Sequence, residues 1–242
     1  MMRLYFVRHG QSENNLLWVT TGSSEGRVPD PSLTEVGRHQ AGEVARFLAQ
    51  VHRQPSDKDR SYAEEDGCFH VTHCYTSLMA RAVATGHRIA EALDMPLHPW
   101  IDIHESGGMY HYDPESETYH PRPGLTRATL AARYPRLVLT DEVGEEGWWN
   151  REFEPREARA PRAQRVLAEL LARHGDTDDE VVFVSHGGFF NHLLYAILDI
   201  DPGSSLWFGI NNASLTRIDF NSGERFIAYL NRTDYLPEGL IT

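Results

Sequence analysis

Apolar residues in this chain fall into short blocks that switch between two spacings. Leu4–Val7 is an unbroken apolar run, the pattern of a strand buried on both faces. Between Leu33 and Val51, apolar side chains recur at Val36, Ala41, Val44, Ala45, Leu48 and Val51. That spacing is helical, and Pro31–Glu35 supplies residues suited to capping it. Arg53–Gly67 is polar and predicts a loop. The pattern then predicts a strand over Phe69–Tyr75, a helix near Leu78–Leu93 and a third strand over Leu97–Ile103. Further on it predicts a helix near Arg156–His174, a strand at Val181–Ser185 and a helix near Gly188–Leu198. Ser214–Phe220 and Arg225–Leu230 flank Asn221-Ser222-Gly223 and read as an antiparallel hairpin.

Gly107–Pro155 breaks the rhythm. It is rich in Gly, Pro, Tyr, His and Glu, with one short helical pattern near Thr126–Tyr134. A segment this long and irregular inside an α/β chain is usually a lid or an insertion. The expected architecture is a single α/β domain over residues 1–242, with this lid-like segment inserted at 107–155. Its layers would be α/β/α, around a mostly parallel sheet with an antiparallel C-terminal edge.

In such sheets ligands bind beyond the C-terminal ends of the strands. The first strand is followed by Arg8, His9 and Gly10, and the second by Thr76, Ser77 and Arg81. His104 and Glu105 follow the third, and His186, Gly187 and Gly188 follow Val181–Ser185. Any one of these has an ordinary structural explanation. Their convergence on one sheet edge points to chemistry. A guanidinium matches phosphate oxygens as a planar fork. A neutral imidazole is a nucleophile near pH 7, and an acceptor on its other nitrogen fixes the tautomer. Glycines let the backbone approach an anion closely, and a carboxyl group can protonate a leaving oxygen. Together they describe phosphoryl transfer through a phosphohistidine.

Composition narrows the alternatives. The formal net charge is −12, so any anion site must be a local basic pocket on an acidic body. Binding to a nucleic-acid backbone is disfavoured. The two cysteines, Cys68 and Cys74, form neither a CxxC nor a ligand cluster. No apolar run has the length of a membrane span, and no signal-peptide pattern stands at the start, so a cytoplasmic protein is expected.

The motifs resemble those of the histidine phosphatase superfamily, the phosphoglycerate-mutase-like proteins. RHGQSENN (Arg8–Asn15), DPSLTEVGRHQA (Asp30–Ala41), TSLMARAVATG (Thr76–Gly86), SHGGFFNHLL (Ser185–Leu194) and NNASLTRI (Asn211–Ile218) occur in the family's order. The resemblance implies that His9 is the nucleophile. It implies that Arg8, Arg81 and His186 hold the phosphoryl oxygens, with Ser12, Asn15 and the Gly187 backbone assisting, and that Glu105 is the proton donor. Glu115 and Glu117 are rivals for that last role. A small-molecule phosphoester is the implied partner, with no metal and no cofactor; no oligomeric state can be read. A mutase of this family usually carries paired arginines and a lysine in the insertion. Arg122, Arg127, Arg133 and Arg136 include no adjacent pair, and Lys58 is the chain's one lysine, so a phosphatase is expected over a mutase or a phospho-ligand binder. His70, His73 and His192 are expected to be structural, His111 and His120 are candidates for substrate contact, and Trp148 and Trp149 either cap the pocket or anchor the insertion.

Overall fold

A computed structural model of the chain describes residues 1–50 and 69–242. The loop expected at Arg53–Gly67, with Lys58, and Cys68 beside it lie outside those residues. Strand β1 (Met2–Arg8) runs through the centre of a six-stranded sheet. It pairs in parallel with β6 (Glu180–Ser185) on one side and antiparallel with β7 (Leu215–Asn221) on the other. β2 (His73–Thr76) lies parallel to β6, and the two-residue β3 (His98–Pro99) closes that edge. β8 (Glu224–Arg232) closes the opposite edge against β7, giving the order β3-β2-β6-β1-β7-β8. The sheet is therefore mostly parallel with an antiparallel C-terminal edge, as the pattern predicts.

The strand alternation builds two cores. Tyr5 and Val7 point to one face, where α2 (Glu35–Leu48) and α3 (Ala80–Ala92) bury Val44, Leu48 and Val83 against them. Leu4 and Phe6 point to the other face, onto Val166 and Leu170 of α5 (Arg156–His174) and Phe190 and Leu194 of α6 (Gly187–Leu198). Each fully buried side chain of this size contributes about 1.5–3 kcal/mol. A charge at any of these β1 positions would break one layer.

Three elements differ from expectation. β2 begins only at His73; Phe69 lies before it and packs edge-on against Tyr5 and Phe47, both at 5.2 Å between ring centroids. The strand expected over Leu97–Ile103 stops at Pro99, which has no N–H to continue a ladder, and Ile101–Ile103 is a 3-10 turn. A helix not anticipated, α1 (Glu13–Thr21), starts directly after the first motif. The 107–155 segment contains a hairpin of β4 (Tyr110–Asp113) and β5 (Thr118–Pro121), then α4 (Arg127–Arg133). Trp148 and Trp149 are buried in the core on the α2/α3 side, which decides between the two expectations for them: they anchor this segment to the body.

Candidate active site

The register of β1 against β6 places Arg8 opposite Ser185, so His9 and His186 leave the sheet side by side. Their ring centroids are 5.1 Å apart. β2 ends next to β6, with Thr76 opposite Val184, which brings Ser77 and the first turn of α3 to the same edge. Gly10 is needed for packing rather than for a turn. Its φ is not in the left-handed region, and a Cβ there would sit 2.4 Å from the Gly37 carbonyl oxygen.

Two hydrogen bonds fix the state of His9. Nδ1 lies 2.6 Å from the Gly10 carbonyl, which can only accept, so Nδ1 carries the proton. Arg81 Nε donates to Nε2 at 3.1 Å, which requires a lone pair there. The His9 backbone is tied on both sides, its N–H donating to Ser185 O (2.9 Å) and its carbonyl accepting from Asn212 Nδ2 (3.1 Å). Burial holds the imidazole pKa well below its ordinary value. Arg81 and Arg8 push it the same way, against the Gly10 hydrogen bond. The result is a neutral ring with Nε2 unprotonated beside cationic groups.

Arg8 donates from Nη1 to Ile210 O at 2.5 Å, and Arg81 stands 3.9 Å from Asp30. Burial lowers both guanidinium pKa values, yet arginine stays cationic. His186 Nε2 meets Ser77 Oγ at 2.9 Å, and burial, then Arg81 and His9, keep this ring neutral too. Three buried nitrogens in this group have no hydrogen-bond partner: Arg8 Nε, His186 Nδ1 and Arg81 Nη1, the last only 3.9 Å from Asp30 Oδ1. Leaving a buried polar group without a hydrogen bond costs about 1–3 kcal/mol, a cost that an anion accepting from the two guanidinium groups would relieve.

Glu105 is seated at the N-terminus of α6. Its carboxylate accepts from the backbone of Ser106 (2.8 Å), Phe189 (3.2 Å) and Gly188 (3.3 Å). The loop that carries it is clamped by Arg162, which forms a bidentate pair with Glu154 at 2.5 and 2.9 Å and donates to the carbonyls of Asp102 and His104. Glu154 in turn accepts from Gly107 N at 3.2 Å. His104 is buried against Trp149, and its pKa is pushed down to about 3 by burial and then by Arg162.

Arg8, His9, Arg81, Glu105 and Gly187 line a cleft of about 1150 Å3. Ser12 and Asn15 line it as well, while they also cap α1 reciprocally: Asn15 N donates to Ser12 Oγ (3.3 Å) and Ser12 N to Asn15 Oδ1 (3.0 Å). His186 is fully buried behind this wall. Glu115 and Glu117 lie at the exposed tip of the β4–β5 hairpin and do not line the cleft. His111 lines it and His120 does not. His73, His174 and Asp179 gather at the other end of β2; Asp179 and Tyr75 occupy the two ring nitrogens of His174 at 2.8 and 3.1 Å, a satisfied hydrogen-bonded cluster. The sequence names Ser77 among the strand-end residues but does not single out Asp30, Asn212, Arg162 or Glu154. Asp30 and Asn212 fall inside the motifs quoted above, but the Arg162–Glu154 pair has no local signal.

A sequence profile of the histidine phosphatase superfamily (branch 1) matches residues 4–233. The chain belongs to this superfamily. Among curated relatives it is 29% identical over 71% of its length to a 2,3-bisphosphoglycerate-dependent phosphoglycerate mutase of Dichelobacter nodosus, and the match spans 59% of that mutase. It is 27% identical to phosphoserine phosphatase 1 of Hydrogenobacter thermophilus, covering 98% of this chain and 96% of the relative. An adenosylcobalamin/alpha-ribazole phosphatase of Salmonella typhimurium is also 27% identical, over 98% of this chain and all of the relative. The fold matches that of a mutant phosphoserine phosphatase from Entamoeba histolytica in complex with phosphoserine, with TM-score 0.61, 19% identity and coverage of 98% and 100% of the two chains. No helix among the described residues is long and apolar enough to cross a membrane.

Proposed function

We propose that this histidine phosphatase superfamily member hydrolyses a phosphomonoester through a phosphohistidine on His9. The observation that carries the reading is the neutral His9, with Nε2 unprotonated, in a group with three buried nitrogens that make no hydrogen bond. In the first step the Nε2 lone pair attacks phosphorus and the P–O bond to the leaving alcohol breaks. Arg8, Arg81 and His186 hold the non-bridging oxygens, with Ser12, Asn15 and the Gly187 backbone at the rim. Such preorganised charge is normally the largest catalytic contribution. Glu105 gives a proton to the leaving oxygen, and the start of α6 seats the resulting carboxylate. In the second step Glu105 takes a proton from water, the oxygen attacks phosphorus, the N–P bond breaks, and phosphate leaves with His9 restored.

The 107–155 segment is the lid-like insertion that selects the ester within one domain. None of Arg122, Arg127, Arg133 and Arg136 lines the cleft, which favours water over a bound carboxylate as the second acceptor. The phosphoglycerate mutases among the relatives supply the competing reading. Incubation with a panel of phosphomonoesters separates the two. Hydrolysis predicts stoichiometric inorganic phosphate that is lost in His9→Ala. Interconversion of 2- and 3-phosphoglycerate without phosphate release would select the mutase. The expected partner is a small phosphoester. A cytoplasmic location belongs to the same proposal, with the buried free thiol of Cys74 suited to a reducing compartment.

A further inference from the structure

The floor of the cleft accounts for a phosphoryl group and leaves most of its 1150 Å3 to the rest of the substrate. Part of its lining is aromatic. Tyr110, Tyr112 and Tyr119 come from the β4–β5 hairpin, and Trp207 comes from the segment after α6. The tyrosine side is stiff. Tyr119 stacks on Phe153 at 3.9 Å with an interplanar angle of 9°, Tyr110 meets the same ring edge-on at 4.9 Å, and Tyr112 leans on Tyr119 at 5.0 Å. Tyr112 and Tyr119 nonetheless remain 43% and 44% exposed. Trp207 is 62% exposed and makes no ring contact among the described residues. Large aromatic surface is not normally left in water beside a polar site unless something planar or apolar covers it. Arg27 adds a cation at the same mouth, close enough to influence Arg81 and Tyr110 and without an ion-pair partner among the described residues. A guanidinium plane stacks on heteroaromatic rings as readily as it pairs with an anion.

We infer that this aromatic collar selects phosphomonoesters whose leaving alcohol carries a planar heteroaromatic ring, the nucleoside monophosphate class, over small aliphatic phosphates. The inference rests on the proposed phosphatase reading, and it gives Trp207 and Tyr119 a role the phosphohistidine chemistry does not require. Ring stacking on an aromatic side chain is worth about 1–3 kcal/mol, which corresponds to roughly 5- to 150-fold in kcat/KM.

The test compares kcat/KM for adenosine and uridine 5′-monophosphates with values for O-phosphoserine, 3-phosphoglycerate and glycerol 3-phosphate. The collar predicts at least a tenfold preference for the ring-bearing esters. Trp207→Ala and Tyr119→Ala should each cut that ratio about tenfold, mainly through KM, whereas Trp18→Ala, an exposed tryptophan on α1 outside the cleft, leaves it unchanged. A preference for the carboxylate-bearing esters, lost in Arg27→Ala, would overturn the inference and make Arg27 a carboxylate clamp. Calorimetry with an unreactive adenosine phosphonate against methylphosphonate reads the collar without turnover. Tighter binding of the adenosine compound with no hydrolysis of any ester would sustain the collar and end the phosphatase reading. Equal binding of the two phosphonates would end the collar even in an active enzyme.

Discussion

Gly188 offers a way to remove the proposed acid without touching it. A Cβ at this position would lie 2.2 Å from Glu105 Oε1 and 3.0 Å from Ser106 Oγ. Ordinary contact begins near 3.4 Å, so in Gly188→Ala the carboxylate must move by about 1.2 Å. The atom in the way is the end of a flexible side chain and the glycine φ is not left-handed, so the fold can yield at small cost. The seat at the start of α6 cannot. Moving Glu105 away breaks its contacts with Gly188 N and Phe189 N and takes it off the line to the leaving oxygen. A misplacement of about 1 Å costs on the order of 100-fold in rate. Gly188→Ala should therefore lose about 100-fold in kcat on alkyl phosphates and less than tenfold on p-nitrophenyl phosphate, whose leaving group needs little protonation. Thermal unfolding should shift by only a few degrees. Gly42→Ala, where a Cβ meets nothing within 4 Å at a half-buried position of α2, serves as the folding control and should stabilise by about 1 kcal/mol. Equal losses on the two classes of ester, or full activity on both, would refute the assignment of Glu105 and the reasoning from its seat.

Three further outcomes follow from the same geometry. Arg162→Ala leaves Glu154 buried and unpaired beneath the Glu105 loop, and should cost about 3–5 kcal/mol in denaturant unfolding; a cost under 1 kcal/mol would show that the clamp is unimportant. Burial raises the Asp30 pKa from 3.8 to about 6 against the pull of Arg81, so the folded state holds this proton more tightly than the unfolded chain. Stability should then fall by about 2–3 kcal/mol as pH rises from about 4 to 6, and Asp30→Asn should flatten that part of the unfolding-versus-pH curve; an unchanged slope would contradict the assignment. Because His9 is held neutral, with its pKa well below 6.5, kcat/KM should keep its value as pH falls through 6.5; a loss of activity titrating at 6.5 or above would mean the nucleophile is not so perturbed.

Much of this was legible in the chain because it depends on local pattern. Helix α5 falls where its spacing predicts, and the buried runs at Leu4–Val7 and Val181–Ser185 are the two central strands. The residues at their ends meet because parallel strands present their C-terminal ends on one edge. What was not legible depends on distant partners. Glu105 is held by backbone N–H groups more than 80 residues away, and its loop by Arg162 and Glu154, neither of which carries a local signature. The α1 helix escaped notice because Ser12 and Asn15 read as phosphate ligands, and the same two side chains turned out to make its cap. Its face also hides little: Leu16, Trp18 and Val19 are exposed, so no strong apolar period marks it. Pro99 shortened β3 where apolar content alone suggested a longer strand.

The central claim is a covalent phosphoryl group on His9 Nε2. Rapid quenching in base after mixing enzyme with a phosphomonoester, followed by peptide mass spectrometry, reads it directly. The account predicts an acid-labile, base-stable phosphoryl group on the peptide containing His9, formed within one turnover and absent in His9→Ala. Phosphate release at the full rate with no phosphorylated His9 peptide, or in His9→Ala itself, would contradict it.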